Sequence, residues 1–288
     1  MTIFLDLRAT PSGGFVAKEV TVFDGATQQT MGVDELRTHV DGRSVVLVVH
    51  GFNVSMDSGV RSLSHWDQLS ALPSPHVFVG VLWPGDSRFL PVVDYPIEGG
   101  VAMGAGRLLA PFLDEALVAA ASVSFVSHSL GVRVVLETIR LMERRQVSTI
   151  ILMAAAIEDD ALSNEYADAI AKVARLHVVA SLCDLVLEFA FPVGNPLTEL
   201  LLSGHPLFRR ALGRQGPRTT AALPSSYQLW QAPVPWDYGH LDYLPHSQLG
   251  GAIAPPIVPP RAQDAMPTTN PLPWQASWSA TIIATQFR

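Results

Sequence analysis

The chain has 288 residues, 48% hydrophobic and 16% charged, with 19 Lys and Arg against 26 Asp and Glu. That balance excludes extended disorder, and a net charge of −7 excludes the basic footprint of a general nucleic-acid binder. A single cysteine, Cys183, excludes an internal disulfide framework and a cysteine-built zinc site.

Residues 2–7 and 19–23 read as two early strands, parted by the turn residues Pro11, Ser12, Gly13 and Gly14. Asp6 falls early and no basic segment precedes the first apolar run, so a signal peptide is not expected. Residues 44–49 (SVVLVV) form a continuous apolar run, the mark of a strand buried on both faces. A helical pattern follows at 57–72, then a strand at 76–83. The Ala- and Leu-rich stretch 100–121 reads as a helix with Pro111 as a kink site. Strands are expected at 122–126, 147–155, 176–182 and 226–230, and helices at 131–145 and 160–173. Residues 254–274 are proline-rich (PPIVPP, then NPLP), the composition of a rigid linker or extended tail, and 278–287 read as a terminal strand.

Strands alternating with crossover helices imply an α/β fold, a mostly parallel sheet with helices on both faces. The expected organisation is one domain over 1–253, with a lid or pocket insertion at 185–217, and an extension over 254–288 as a candidate for self-association. Oligomeric state stays open. The most apolar tract, 116–132, falls short of the ~18 to 20 residues that span a bilayer, and a cytoplasmic location is expected.

The segment Val126-Ser127-His128-Ser129-Leu130-Gly131 carries the chemistry. It closes a strand, makes a tight turn and opens a helix, and its S-x-S-x-G pattern differs by one residue from the G-x-S-x-G nucleophile elbow. Ser129 must sit on a strained turn for its hydroxyl to project from the sheet edge. The residues two before and two after it must be small, because strand and helix backbones approach closely there. Gly131 meets that need, and Ser127 stands where glycine is usual. The helix beginning beside Leu130 directs free N–H groups and a positive dipole at the site.

Three motifs, VVHGFN (48–53), LWPGDS (82–87) and SHSLG (127–131), resemble the α/β-hydrolase superfamily in its lipase and esterase branch. The Trp-Pro-Gly stretch is similar to bacterial α/β hydrolases largely without assigned substrates. The resemblance spans roughly residues 44–244. It implies a cofactor-free, metal-free serine hydrolase with Ser129 as nucleophile and the N–H groups of Phe52 and Leu130 as oxyanion donors. Gly51 allows the sharp turn that aims the Phe52 N–H, and His50 reads as a loop-holding residue. Family order is Ser, then acid, then His. Asp184 follows the strand at 176–182 and is favoured as the acid over Asp159 and Asp160, whose position before a helical pattern suits an N-cap. Of nine histidines, His240 and His246 follow the last clear strand, and His240, in a Gly-containing turn, is favoured as the base.

The expected substrate is a small-molecule ester with an apolar acyl chain or aromatic group. Candidate pocket residues are His50, Asn53, His128, Phe89, Leu90, Val186, Phe189 and His205. Helices between acid and base equally suit ordinary crossover elements. Arg209, Arg210 and Arg214 form a basic cluster read as a solvated face. Two alternatives remain open: thioester, lactone or amide cleavage on the same triad, and a catalytically silent scaffold that binds a ligand.

Overall fold

The computed structural model describes residues 2–10, 14–85, 95–190, 210–244 and 275–287. Its centre is a nine-stranded sheet in the order β3-β2-β1-β5-β4-β6-β7-β8-β9. The strands are β1 (Ile3–Arg8), β2 (Val16–Asp24), β3 (Thr30–Met31), β4 (Ser44–Val49), β5 (His76–Leu82), β6 (Ser122–His128), β7 (Val147–Met153), β8 (Val173–Ala180) and β9 (Gln228–Gln231). β1 with β2 and β2 with β3 are antiparallel; every other pair is parallel. This is the α/β-hydrolase fold.

The pleat sorts the apolar runs into two layers. On β4, Val45, Leu47 and Val49 face a core shared with α1 (Val33–Val40), α3 (Tyr95–Ala116) and α4 (Gly131–Leu141). Val46 and Val48 face the opposite core, where α2 (Met56–Ser70) contributes Leu63 and Trp66. Burial on both faces is why the central strands read as unbroken hydrophobic runs. The chain leaves β4 for β5 on one side and returns to β6 on the other, a topological switch point between β4 and β6. The carboxyl ends of strands at such a point form the crevice where ligands bind in open α/β sheets.

α3 runs through Pro111 to Ala116. The helix expected at 160–173 is reduced to α5 (Ala167–Ile170). Its preceding residues use their backbone elsewhere: the Asp159 N–H donates to Arg210 O, and Ala161 and Ser163 close tight turns on Glu158 and Asp160. The short α6 (Leu212–Gln215) packs beside β8.

The terminal strand expected at 278–287 is instead α7 (Gln275–Gln286). The β-branched run Thr281-Ile282-Ile283 suggests a strand, but tertiary packing overrides local preference. Trp278, Ala280, Ile282 and Ile283 are buried in the second core, and α7 packs against α2. No helix of the described residues is long and apolar enough to cross a membrane. The whole proline-rich stretch 254–274 and residues 191–209 of the 185–217 insertion lie outside the described residues.

Candidate active site

β6 ends in the turn that carries Ser129. Its φ of 52° lies in the left-handed region, which a non-glycine residue occupies only when its surroundings hold it there. Those constraints are visible. The Ser129 N–H donates to Met153 O at 2.9 Å, and Ser129 O accepts from the Val132 N–H at 3.2 Å. A Cβ on Gly131 would collide with the backbone carbonyl of His50, so α4 starts as close to β4 as a backbone allows. Ser127 is fully buried, so its small side chain meets the size limit that glycine usually satisfies.

Ser129 Oγ lies 2.8 Å from His240 Nε2, and His240 Nδ1 lies 2.7 Å from Asp184 Oδ2. A carboxylate offers only acceptors, so Nδ1 carries the hydrogen and Nε2 is left to accept from the serine hydroxyl. Asp184 is wholly buried at the end of β8, and its Oδ1 accepts the Leu187 N–H at 2.9 Å. The structure thus brings Ser129, Asp184 and His240 into one hydrogen-bonded chain. Asp159 and Asp160 are elsewhere, paired with Arg218 at 2.7 and 3.3 Å. His246 lies outside the described residues.

His240 occupies irregular chain, pinned by side chains. Ser181 Oγ donates to Tyr238 O, Asp242 Oδ2 accepts the Gly239 N–H at 2.6 Å, and Ser279 Oγ of α7 donates to Tyr243 O at 2.7 Å. The Trp66 indole N–H donates in turn to Ser279 Oγ at 3.2 Å. Beneath the loop, Tyr238 meets Tyr243 and Trp278 edge-on, at 4.7 and 5.0 Å between centroids.

The loop after β4 approaches the elbow closely. A Cβ on Gly51 would fall 2.7 Å from His128 Nδ1 and 3.0 Å from Ser129 Cβ. This space requirement, with a sharp turn completed by Asn53 at φ 56°, explains the glycine. The Trp-Pro-Gly motif holds the loop. The Trp83 indole donates to His50 O at 2.8 Å, the Trp83 N–H donates to His50 Nε2 at 3.2 Å, and Gly85 O accepts the Asn53 N–H at 2.5 Å. The rings of His50 and Trp83 stack at 5.8 Å. His50 Nδ1–H donates to Gly51 O at 2.7 Å, and Arg8 of β1 donates to His50 Nε2 and Val54 O. Burial, then the neighbouring Arg8 charge, holds His50 down at about 3, so it stays neutral. Among the described residues, neither the Phe52 nor the Leu130 N–H donates to a protein acceptor.

The remaining expected pocket residues divide. His50 is buried behind the loop as a structural group, and His128 is buried beneath the His240 loop. Neither presents an open pocket wall. Val186 is exposed in a π-helical turn (Val186–Ala190) that begins two residues after Asp184. Phe89, Leu90 and His205, and the side chain of Phe189, lie outside the described residues. The basic cluster disperses: Arg214 pairs with Glu188 at 2.8 Å and Arg210 bonds Gln215 at 3.1 Å, while Arg209 is outside the described residues. Sequence reasoning missed Arg8, Ser181 and Ser279. All three act across long separations, and only the Trp83 support carried a signal, through its motif.

A comparison with curated proteins finds no match. Among solved structures, esterase B from Lactobacillus rhamnosis is similar at 12% identity over 79% of this chain and 71% of that one, with a TM-score of 0.37. A carboxylesterase from Mesorhizobium loti is similar at 14% identity over 80% of this chain and 91% of that one, with a TM-score of 0.33. Phospholipase PlaB from Legionella pneumophila, in complex with thio-NAD, is similar at 12% identity over 48% of this chain, with a TM-score of 0.32; the match spans 38% of that chain. The family model described as "Alpha/beta hydrolase of unknown function (DUF900)" matches residues 26–198, and the chain belongs to that family.

Proposed function

We propose that this protein is a serine hydrolase that cleaves carboxylic esters through an acyl-enzyme. The observation that carries the reading is the continuous hydrogen-bonded chain Ser129–His240–Asp184 at 2.8 and 2.7 Å. Ser129 Oγ attacks the acyl carbonyl while His240 Nε2 takes its proton. His240 then protonates the leaving alkoxide, and Asp184 orients the imidazole and stabilises the imidazolium. The N–H groups of Phe52 and Leu130 receive the tetrahedral oxyanion, each worth about 3 kcal/mol in sites of this kind. Water, deprotonated by His240, attacks the acyl-enzyme and releases the acid and free Ser129.

Leu185, Val186 and Leu241 are exposed apolar side chains beside Asp184 and His240 in sequence. They favour esters with an apolar acyl chain or aromatic group, since exposed apolar surface at a site is covered by apolar substrate. The test is labelling by a fluorophosphonate probe, wild type beside Ser129→Ala. Labelling of the wild type alone supports the reading, followed by turnover of p-nitrophenyl esters. A folded wild type that neither labels nor turns over esters overturns it in favour of a silent scaffold.

A further inference from the structure

His128, the last residue of β6, immediately precedes Ser129 and is 2% exposed. Its Nε2 lies 2.8 Å from the backbone oxygen of His240. A carbonyl only accepts, so Nε2 carries the hydrogen of a neutral ring and Nδ1 is a bare lone pair. That Nδ1 is buried without a partner among the described residues, on the side of Gly51. The His128 ring lies 5.0 Å from the His240 ring and 5.9 Å from that of Tyr243, between centroids.

A side chain chosen for volume alone would not be an imidazole. Leucine would fill the space without stranding an acceptor, which costs about 1–3 kcal/mol. What the imidazole supplies and a hydrocarbon does not is a donor to the His240 carbonyl. His240 stands outside every helix and strand, so side chains take the place of a hydrogen-bonded ladder in fixing its peptide. Ser181 and Asp242 hold the two ends of the Tyr238–Gly239 peptide before it; His128 holds the carbonyl of His240 itself. Burial, and then the adjacent His240, keep His128 neutral by lowering it to about 3. A second positive charge therefore does not arise beside the imidazolium formed in turnover.

We propose that His128 is a positioning residue: its Nε2–H fixes the His240 peptide, and so the reach of the His240 ring between Ser129 and Asp184. It touches neither substrate nor the reacting atoms. The inference rests on the serine-hydrolase reading.

The test compares His128→Leu, which keeps volume and removes the donor, with His128→Gln, which restores an N–H at similar reach. Kinetics on p-nitrophenyl butyrate over a pH series, fluorophosphonate labelling rate, Tm and the low-field proton resonance of the His240 Nδ1–H are measured for each. The expected result for His128→Leu is a kcat lower by about 10²-fold, the cost of small misplacement. KM should stay near wild type, with slowed labelling and a broadened low-field resonance. His128→Gln should recover most of kcat and the sharp resonance. Wild-type kcat in His128→Leu, or equal losses in both variants that track Tm, would overturn the proposal. Should His128→Leu not fold, His128→Asn, whose amide is too short to reach the carbonyl, replaces it with the same expectation. A wild type that neither labels nor hydrolyses overturns the hydrolase reading and this inference together. A labelled wild type beside an unimpaired donor-less variant overturns this inference alone.

Discussion

Acidification should destabilise this protein well before its carboxylates titrate, through three buried histidines. In an unfolded chain histidine titrates near 6.5. In the fold, burial and Arg8 lower His50 to about 3, burial and His240 lower His128 to about 3, and burial and Arg175 lower His177 to about 4. The unfolded chain therefore binds more protons than the folded one between 6.5 and those values. The stability these neutral rings contribute is complete above pH 6.5 and is lost as pH falls. One unit below 6.5 the loss is ~1.4 kcal/mol per ring, or ~4 kcal/mol for the three. That is a large share of the 5–15 kcal/mol usual for a domain. Urea denaturation followed by tryptophan fluorescence, at about pH 8 and about pH 5.5, measures the difference directly. His177 accepts from the Trp230 indole at 3.3 Å, away from the triad, so His177→Gln isolates one contribution and should remove about a third of the effect. Equal unfolding free energies at the two pH values would refute the reasoning.

The acid assignment predicts that Asp184→Asn lowers kcat by on the order of 10⁴-fold. Asp159→Asn should leave kcat near wild type and cost under about 1 kcal/mol, because its partner Arg218 is largely exposed; steady-state kinetics rank the two. Gly51→Ala forces a Cβ to within 2.7 Å of His128 Nδ1. Displacing the loop should lower kcat by about 10²-fold or more, as loss of an oxyanion donor does, and full activity would show that the close approach is unimportant. Trp278→Ala removes a buried ring at the edge of Tyr238 and should cost about 3–5 kcal/mol in urea denaturation.

The sheet is legible in sequence because its central strands are buried on both faces. SVVLVV and HVFVGVL are hydrophobic whichever way a side chain points, and their bounds match the sequence reading to within a residue. Where burial is one-sided or tertiary, the reading fails. A helix was expected from residue 160, yet Ile157 and Asp159 just before it bond to residues 210–218 and residues 160–166 close on themselves as turns. The run Thr281-Ile282-Ile283 satisfies strand preferences and is a helix that packs on α2 and buries Ile282 and Ile283 in the second core. The turn at Ser129 is local, so its spacing was readable in five residues. His240 and Asp184 lie 56 positions apart, so their pairing was expected from chain order rather than from a local pattern. The bonds of Arg8 to His50 and of His128 to the His240 carbonyl are pairs formed only by the fold. No local signal announces them.

The brace from α7 to the His240 loop also sets an order of assembly. The turn at Ser129 and the loop at Gly51 that faces it both lie within the stretch from β4 to β7, ahead of the His240 loop in the chain. The bond that steadies the His240 loop joins Tyr243 to Ser279, 36 positions on, and Ser279 is tied to Trp66 across 213 positions. The link from Trp66 to Ser279 forms late, because closing a loop of 213 positions costs entropy before it brings reward. During synthesis, a nascent chain released only as far as His240 holds Ser129, Asp184 and His240 before Ser279 exists to brace the His240 loop. The His240 loop then gains its brace only when α7 docks, after every strand of the sheet has been made.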